Sequence, residues 1–510
     1  MPENFSSESD FYNEPDTYMG EFSELDPISS VLSDCRDVAL HVSTEGAPND
    51  IYRGLEGRRR KAAVTLTLIW SGTIVLHLFS WGYWLVLFLT SILCLHALRL
   101  VLARPALAPH PRRSHALGEL QPDLESLEAG GELPHISLLV AAKNEEAVVG
   151  NLVRMLCNLD YPVGRYDLWV IDDNSTDRTP GLLDQLAKDY DQLRVIHRSD
   201  GAGGGKSGAL NQVLPLTKGD IVAVFDADAV VSPDLLRRVL PLFDRAQVGA
   251  VQVRKAILNA DTNFWTRGQM AEMALDTFLQ QQRIAIGGIG ELRGNGQFVR
   301  RTALQSCGGW NEETITDDLD LTLRLHLEHW DIDFLAFPAV GEEGVTTALS
   351  LWHQRNRWGE GGYQRYLDYW RLIVRNRMGI AKALDMLIFW IIQYLMPTAA
   401  LPDFVMSVAL DRLPLFSPIT GLGIALSLIG MFTGLRRIQA QRAGDREAQP
   451  TKSAPSLPVT LLQTLRGTLY MLHWLVVIAS TTARISVRPK RLKWVKTVHQ
   501  GTDENLVVGN

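Results

Sequence analysis

The stretch Ile221-Val-Ala-Val-Phe-Asp-Ala-Asp228 decides the fold class. Its apolar run, Ile221 to Phe225, is too short for a helix and has no polar face, so it reads as a strand buried on both sides. The run stops at Asp226 and Asp228, two carboxylates placed where the chain would leave a sheet. The same arrangement recurs at Ile136 to Ala142, followed by Lys143, Asn144 and Glu145, and at Leu168 to Ile171, followed by Asp172 and Asp173. Arg194 to Ile196 and Val248 to Val253 complete the series, with helical patterns between the runs. Such alternation predicts an α/β domain with a mostly parallel sheet covered on both faces. In sheets of that kind the ligand site lies outside the carboxyl ends of the strands, where these polar residues fall.

Carboxylates gathered at one edge repel each other, and a hard divalent cation relieves the repulsion while leaving coordination sites for phosphate. Asp226 and Asp228 are the candidate metal ligands. On an extended chain they point to opposite sides, so a turn at the strand end must bring them together. Farther along, the loop Gly201 to Gly208 carries Lys206 and offers backbone amides and one cation to a diphosphate. Thr316-Asp317-Asp318 opens a helical pattern and supplies a candidate general base, although an N-cap followed by acids in the first turn would read the same way. Gln354-Arg355-Asn356-Arg357-Trp358 adds an amide, two guanidinium groups suited to a diphosphate, and an indole for stacking. Its arginines would equally suit the flank of a membrane segment.

In this order, Asp172-Asp173, Asp226-x-Asp228, Thr316-Asp317-Asp318 and Gln354-x-x-Arg357-Trp358 resemble the processive-type branch of the family 2 glycosyltransferases, over about residues 134 to 380. The resemblance implies a GT-A fold, an inverting mechanism and a UDP-sugar donor bound through Mg2+ or Mn2+. It implies that Asp172 and Asp173 contact the uridine and that Asp226 and Asp228 hold the metal and diphosphate. Asp318, beside Asp317, would be the base, and Gln354, Arg357 and Trp358 would cradle the pyrophosphate and the acceptor. Asn144, Glu145 and Lys206 would complete the donor site. The family usually has Glu-Asp where this chain has Asp317-Asp318, a shortening that keeps the second carboxylate.

The overall length, the acidic leader, the stretch Gln354 to Gly362 and the span layout look like a shorter branch, the cyanobacterial β-monoglucosyldiacylglycerol synthases. That likeness implies transfer of glucose from UDP-glucose to 1,2-diacylglycerol in a plasma or thylakoid membrane. A polysaccharide synthase of the cellulose or hyaluronan type is the alternative, and a catalytically silent nucleotide-sugar sensor a third.

Membrane segments frame this domain. From Ala62 to Leu102 the only Asp, Glu, Lys or Arg is Arg99, and about 20 residues suffice for one crossing, so two spans are expected. Phe79, Trp81, Tyr83 and Trp84 fall midway, as an interfacial turn would require, and basic residues at both ends (Arg58 to Lys61; Arg104, Arg112, Arg113) predict a cytosolic domain. Apolar runs at about 386–410, 415–435 and 459–483 predict two or three further spans. The basic cluster after residue 487 favours an interfacial or re-entrant last segment. Gly361 to Arg377 mixes tyrosines with arginines and fits either an amphipathic helix on the membrane surface or an ordinary packed one.

These readings divide the chain into an acidic disordered tail (1–57), a transmembrane hairpin (58–104), a linker (105–133), the GT-A domain (134–359), an interface helix (360–380), a C-terminal membrane region (381–487) and a basic tail (488–510). Of the net charge of -7, residues 1–50 hold -11, from twelve acids and one Arg. The rest shows no basic stripe or motif for a nucleic-acid partner. Cys35, Cys94, Cys157 and Cys307 lack the spacing of a zinc or redox site.

Overall fold

The computed structural model describes residues 57–105, 133–444 and 456–487. The acidic tail, nearly all of the linker, the basic tail and Cys35 lie outside the described residues. The remaining three cysteines are free thiols.

Seven strands form one sheet: β1 Ile136–Ala142, β2 Tyr166–Asp172, β3 Leu193–His197, β4 Ile221–Phe225, β5 Val248–Ile257, β6 Gln297–Arg300 and β7 Asp331–Glu342, in the order β3-β2-β1-β4-β6-β5-β7. β1 is parallel to β2 and β4, β2 to β3, and β5 to β7, while β6 runs antiparallel between β4 and β5. The five expected strands are all present. β6 and β7 were not anticipated. β6 has four residues, two of them Gln297 and Arg300, and β7 is interrupted by Pro338, so neither shows an apolar run.

Side chains alternate between the two faces. Leu138, Val140, Leu168, Val170, Ala223 and Phe225 join one buried cluster with the helices Val149–Cys157 and Thr179–Asp189. Leu139, Ile171, Val222 and Val224 join a second cluster with the helices Gly205–Val213, Arg301–Ser306 and Asp317–Leu327. Both faces are therefore dry, as a predominantly parallel sheet requires.

Among the described residues five helices are long and apolar enough to cross a membrane: Arg58–Leu78, Ser80–Leu102, Ile380–Ala409, Ser417–Gln441 and Leu457–Val487. The first two form the expected hairpin, broken at Phe79, with Phe79, Trp81, Tyr83 and Trp84 exposed around the turn. Gly82 makes the turn possible, since a Cβ there would lie 2.0 Å from the Leu76 carbonyl oxygen. The last segment is bent at Leu472 into the helices Leu457–Met471 and His473–Val487.

The expected separate helix at 360–380 is instead the second half of one continuous helix, Ala348–Val374. Its aromatic face is not laid open as a surface helix would be. Tyr363, Tyr366 and Tyr369 are buried in a cluster with Leu323, Met386, Tyr394 and Ile478.

Candidate active site

Parallel register aligns the ends of three strands: Ala142 pairs with Asp172, and Val140 with Phe225. Lys143 to Glu145, Asp172-Asp173 and Asp226 to Asp228 therefore emerge along a single edge. Asp172 is 3% exposed, and both its oxygens are engaged, Oδ2 with His197 Nδ1 at 2.9 Å and Oδ1 by the Ser175 amide at 3.1 Å. The bond to Asp172 raises the His197 pKa. Asp173 stands one step outward, accepting from Arg198 Nη1 at 2.5 Å, with Lys143 Nζ at 3.8 Å. Asn144 adopts a left-handed φ of 54° and accepts from the Thr176 amide at 2.7 Å, while the Glu145 amide donates to Thr179 Oγ1 at 2.9 Å. These bonds shape the loop that follows Asp173.

Arg198 had no distinguishing signal in the sequence. Its second nitrogen donates to the Gly203 carbonyl at 2.6 Å and so ties Asp173 to the glycine loop. Gly204 has a φ of +80°, and a Cβ there would lie 2.3 Å from Glu312 Oε2, so the loop needs glycine at this position. Lys206 follows in the first turn of the Gly205–Val213 helix, with Nζ 2.5 Å from Asp226 Oδ1. Burial alone would lower its pKa, but Asp226, Asp317 and Asp318 outweigh burial and raise it.

The turn required at Asp226 is present, closed by the Ala229 amide donating to the Asp226 carbonyl at 3.0 Å. Asp228 Oδ2 accepts from the Glu343 amide at 3.1 Å. Across the cleft, the Asp318 carboxylate accepts its neighbour's amide, Leu319 N, on Oδ1 at 2.8 Å, and the Asp318 carbonyl accepts from Thr322 Oγ1 at 2.8 Å. Burial, then the charge of Asp317, pushes the Asp318 pKa up to about 6. Thr316 occupies the N-cap position without capping, and its Oγ1 is buried without a partner. The capping alternative for this triplet therefore fails at Thr316. Gly361 abuts this residue, since a Cβ there would lie 2.2 Å from Thr316 Oγ1, which is how the Ala348–Val374 helix comes so close to the acidic triplet.

Helical geometry then sorts the residues of Gln354 to Trp358. Positions i, i+3 and i+4 share a face and i+1 does not, so Gln354 and Arg357 go one way and Arg355 another, with Trp358 between them. Arg357 faces the carboxylates: burial lowers its pKa and Asp226 opposes that. Gln354 Oε1 and Asp317 Oδ2 are buried without partners, polar atoms that a bound ligand would satisfy. The expectation of two guanidinium groups for the diphosphate is corrected. Arg355 is 1% exposed and bonded to Glu272 Oε2 at 2.6 Å and Tyr470 Oη at 3.0 Å, with its guanidinium 4.0 Å from the Trp358 ring centre.

Two further groups were not anticipated. Lys255 Nζ lies 2.8 Å from Glu342 and 5.4 Å from the Trp358 ring centre, and Glu342, Asp226 and Asp318 outweigh burial to raise its pKa. The loop Arg293 to Gly296 wedges between strand end and base: Asn295 Oδ1 accepts from the Asp226 amide at 3.2 Å, and a Cβ on Gly294 would lie 3.4 Å from Asp318 Oδ2. Two positive-φ glycines, Gly294 and Gly296, were the only trace of this loop in the sequence.

Among the described residues no three His, Cys, Asp or Glu side chains converge to hold a metal unaided. The Asp226–Asp228 pair nevertheless fits an ion of the magnesium type, which takes one or two carboxylates and fills its shell with phosphate and water.

Residues 134–361 match the family described as glycosyltransferase like family 2. A β-monoglucosyldiacylglycerol synthase from a Nostoc species is 60% identical over 484 residues, which are 95% of this chain and 98% of the relative. The chain belongs to the family 2 glycosyltransferases. A second β-monoglucosyldiacylglycerol synthase, from a Synechocystis species, is 54% identical over 95% of this chain and 97% of its own. Among solved structures, a mannosyltransferase from Pyrobaculum calidifontis, in complex with GDP-Man and Mn2+, is 18% identical, with a TM-score of 0.48 over 83% of this chain and 98% of that one. This family 2 glycosyltransferase has the GT-A-like sheet that the resemblance implied, mostly parallel with one antiparallel strand inside, and apolar helices on both sides of the domain.

Proposed function

We infer that the protein transfers glucose from UDP-glucose to the free hydroxyl of 1,2-diacylglycerol, with inversion, to form β-monoglucosyldiacylglycerol in a membrane. One observation carries the chemistry: at the strand ends Lys206 Nζ lies 2.5 Å from Asp226 Oδ1, and the Gly294–Asn295 loop that accepts from the Asp226 amide also abuts the Asp318 carboxylate. The glucosyl lipid product follows from the two near-full-length relatives named for it.

Asp173, held by Arg198, and Asp172, held by His197, would contact the uridine. Lys206 and Arg357 meet the negative charge of the diphosphate. Asp226 and Asp228 would hold a divalent ion, Mg2+ or Mn2+, that stabilises the leaving diphosphate as a Lewis acid. Asp318 takes the proton from the acceptor hydroxyl as that oxygen attacks the anomeric carbon. Asp317 raises the basicity of Asp318 by adding negative charge beside it. Attack opposite the leaving group converts the α-linked donor to a β-product without a covalent intermediate. Five apolar helices among the described residues, with basic residues flanking the first two, support a multi-pass protein whose catalytic domain faces the cytosol.

The test supplies the purified full chain in detergent micelles with labelled UDP-glucose, Mg2+ and diacylglycerol. Label should appear in a chloroform-soluble β-glucosyl lipid. A water-soluble polymer would establish the polysaccharide reading instead, and UDP binding without consumption of UDP-glucose would establish the sensor. Chelation with EDTA should abolish turnover and either Mg2+ or Mn2+ should restore it; turnover that survives chelation contradicts the metal assignment.

A further inference from the structure

Two helices begin side by side at the edge of the domain nearest the last apolar segment. Asn263 caps Phe264–Ala285 by accepting from the Trp265 and Thr266 amides on Oδ1 at 2.9 and 3.1 Å, and its side-chain Nδ2 donates to the Thr346 carbonyl at 2.8 Å. Thr347 caps Ala348–Val374 through the Ser350 amide at 3.2 Å. Gln269 clamps the backbone of Val345 at both ends, at 2.8 and 3.2 Å. Two fixed helix starts thus present one rim.

That rim is apolar and open. Phe264 is 44% exposed, Leu349 63% and Trp352 36%, above a sealed cluster of Val345, Leu351 and Tyr470. The Phe264 ring lies 6.5 Å from that of Tyr470, which belongs to the Leu457–Met471 helix. The apolar surface continues along that helix through exposed Leu457, Leu461, Leu465 and Leu469. Between the Phe264–Ala285 and Leu457–Met471 helices lies a cleft of about 280 Å³ lined by the apolar Val459 and Leu462 together with Asp261, Arg267, Gln463 and Arg466. Large apolar side chains grouped on a surface mark a lipid or partner site, and arginines beside them suit the headgroup level of a bilayer.

Its position distinguishes this rim from plain membrane anchorage. Trp352 lies on the helix that carries Gln354, Arg357 and Trp358, and six residues of helix, about 9 Å, separate Trp352 from Trp358. We propose that Phe264, Leu349 and Trp352, with the Val459–Leu462 groove, form the port by which the acyl chains of the diacylglycerol acceptor leave the bilayer so that its hydroxyl can reach Asp318. The proposal rests on the reading of the acceptor given above.

The full chain, reconstituted in phosphatidylcholine vesicles, tests it with dioleoylglycerol against the water-soluble dihexanoylglycerol. The Leu349→Ala/Trp352→Ala double variant and Phe264→Ala should each lose about tenfold in kcat/KM for the long-chain acceptor, through KM. Their UDP-glucose KM and dihexanoylglycerol rate should stay within about twofold of the wild type. Trp352→Phe should retain the long-chain rate. An unchanged long-chain KM overturns the port, and so does an equal loss with both acceptors and the donor, which would show a purely structural role. A wild-type protein that glucosylates neither acceptor sinks the functional reading itself, a result distinct from either.

Discussion

Asp318 carries its negative charge at a cost, because burial and the neighbouring Asp317 both penalise it and push its pKa to about 6. A base must be deprotonated to act, so kcat/KM should be full above that pH and fall about tenfold per unit below it. A profile flat down to pH 5 would remove Asp318 from the role. The same penalty has a consequence for stability. A carboxyl whose folded pKa exceeds its unfolded value favours the folded state at low pH and opposes it as pH rises through 6. Asp318→Asn should therefore melt higher than the wild type at pH 8, by about 1 kcal/mol or more. Turnover should fall by about three orders of magnitude or more while UDP binding persists. Of the residues chosen from the sequence, those at strand ends were legible because register alone places them together. Arg355 was misread because a motif written as a string hides the helical rotation, about 200° over two residues, that sends it away from Arg357. Arg198 and Lys255 were missed because a lone cation in or just beyond a strand carries no pattern, and only the fold supplies Asp173 and Glu342 as partners.

At the scale of elements, the Ala348–Val374 helix is fastened to the last apolar segment by polar contacts on successive turns. Arg355 meets Glu272 and Tyr470, and Trp474 Nε1 donates to the other Glu272 oxygen at 2.7 Å. Asn356 accepts from Thr481 at 3.3 Å and Arg484 at 3.2 Å, and Gly359 lets Ile478 pack within 3.3 Å of where a Cβ would be. Each half of that segment is a 15-residue helix, about 22 Å long, short of the roughly 30 Å of hydrocarbon in a bilayer. Together the two halves make one segment, Leu457–Val487, of 31 residues, long and apolar enough to cross. The burial of the 360–380 tyrosines was not legible, because a Tyr-Arg mixture suits a membrane surface and a packed interface equally. Glu272→Gln should leave the Arg355 guanidinium buried without a countercharge, at about 3 kcal/mol, and lower the melting point. Because Arg355 stacks on Trp358, the folded variant should also show a raised KM for donor or acceptor with a smaller change in kcat. A variant that melts lower yet keeps wild-type KM values would confine this node to stability.

The whole molecule is held in register across its two kinds of structure. Arg58, at the foot of the hairpin, chelates Asp368 at 2.6 to 3.0 Å and donates to the Glu313 carbonyl at 2.9 Å. At the hairpin's other foot Gln282 donates to the Leu100 and Ala103 carbonyls at 2.6 and 3.1 Å, and Arg99 to the Ile286 carbonyl at 2.8 Å. The layout of hairpin, α/β domain and later spans was legible because apolar length and strand-helix alternation are properties of the string. These ties were not, since each joins residues more than 170 positions apart. They set both feet of the hairpin against the catalytic domain, which predicts that Phe79 and its aromatic neighbours face the opposite side of the membrane. A buried pair far from the domain carries the same polarity into the C-terminal helices. His77 Nε2 lies 2.7 Å from Asp403 Oδ1, and Asp403 also accepts from the Leu415 and Phe416 amides at 2.8 and 3.2 Å. These contacts predict that the hairpin turn and the 410–416 loop share one side of the membrane and the domain the other. Single cysteines test this in a background where Cys35, Cys94, Cys157 and Cys307 are replaced by Ser. An impermeant thiol reagent added to intact cells should label Arg412→Cys and leave Ser350→Cys unlabelled, and in inverted vesicles the two should exchange. Labelling of Ser350→Cys from outside would reverse the orientation and remove the domain from the cytosolic supply of nucleotide sugar. Labelling of both from one side would break the shared polarity that the His77–Asp403 pair imposes.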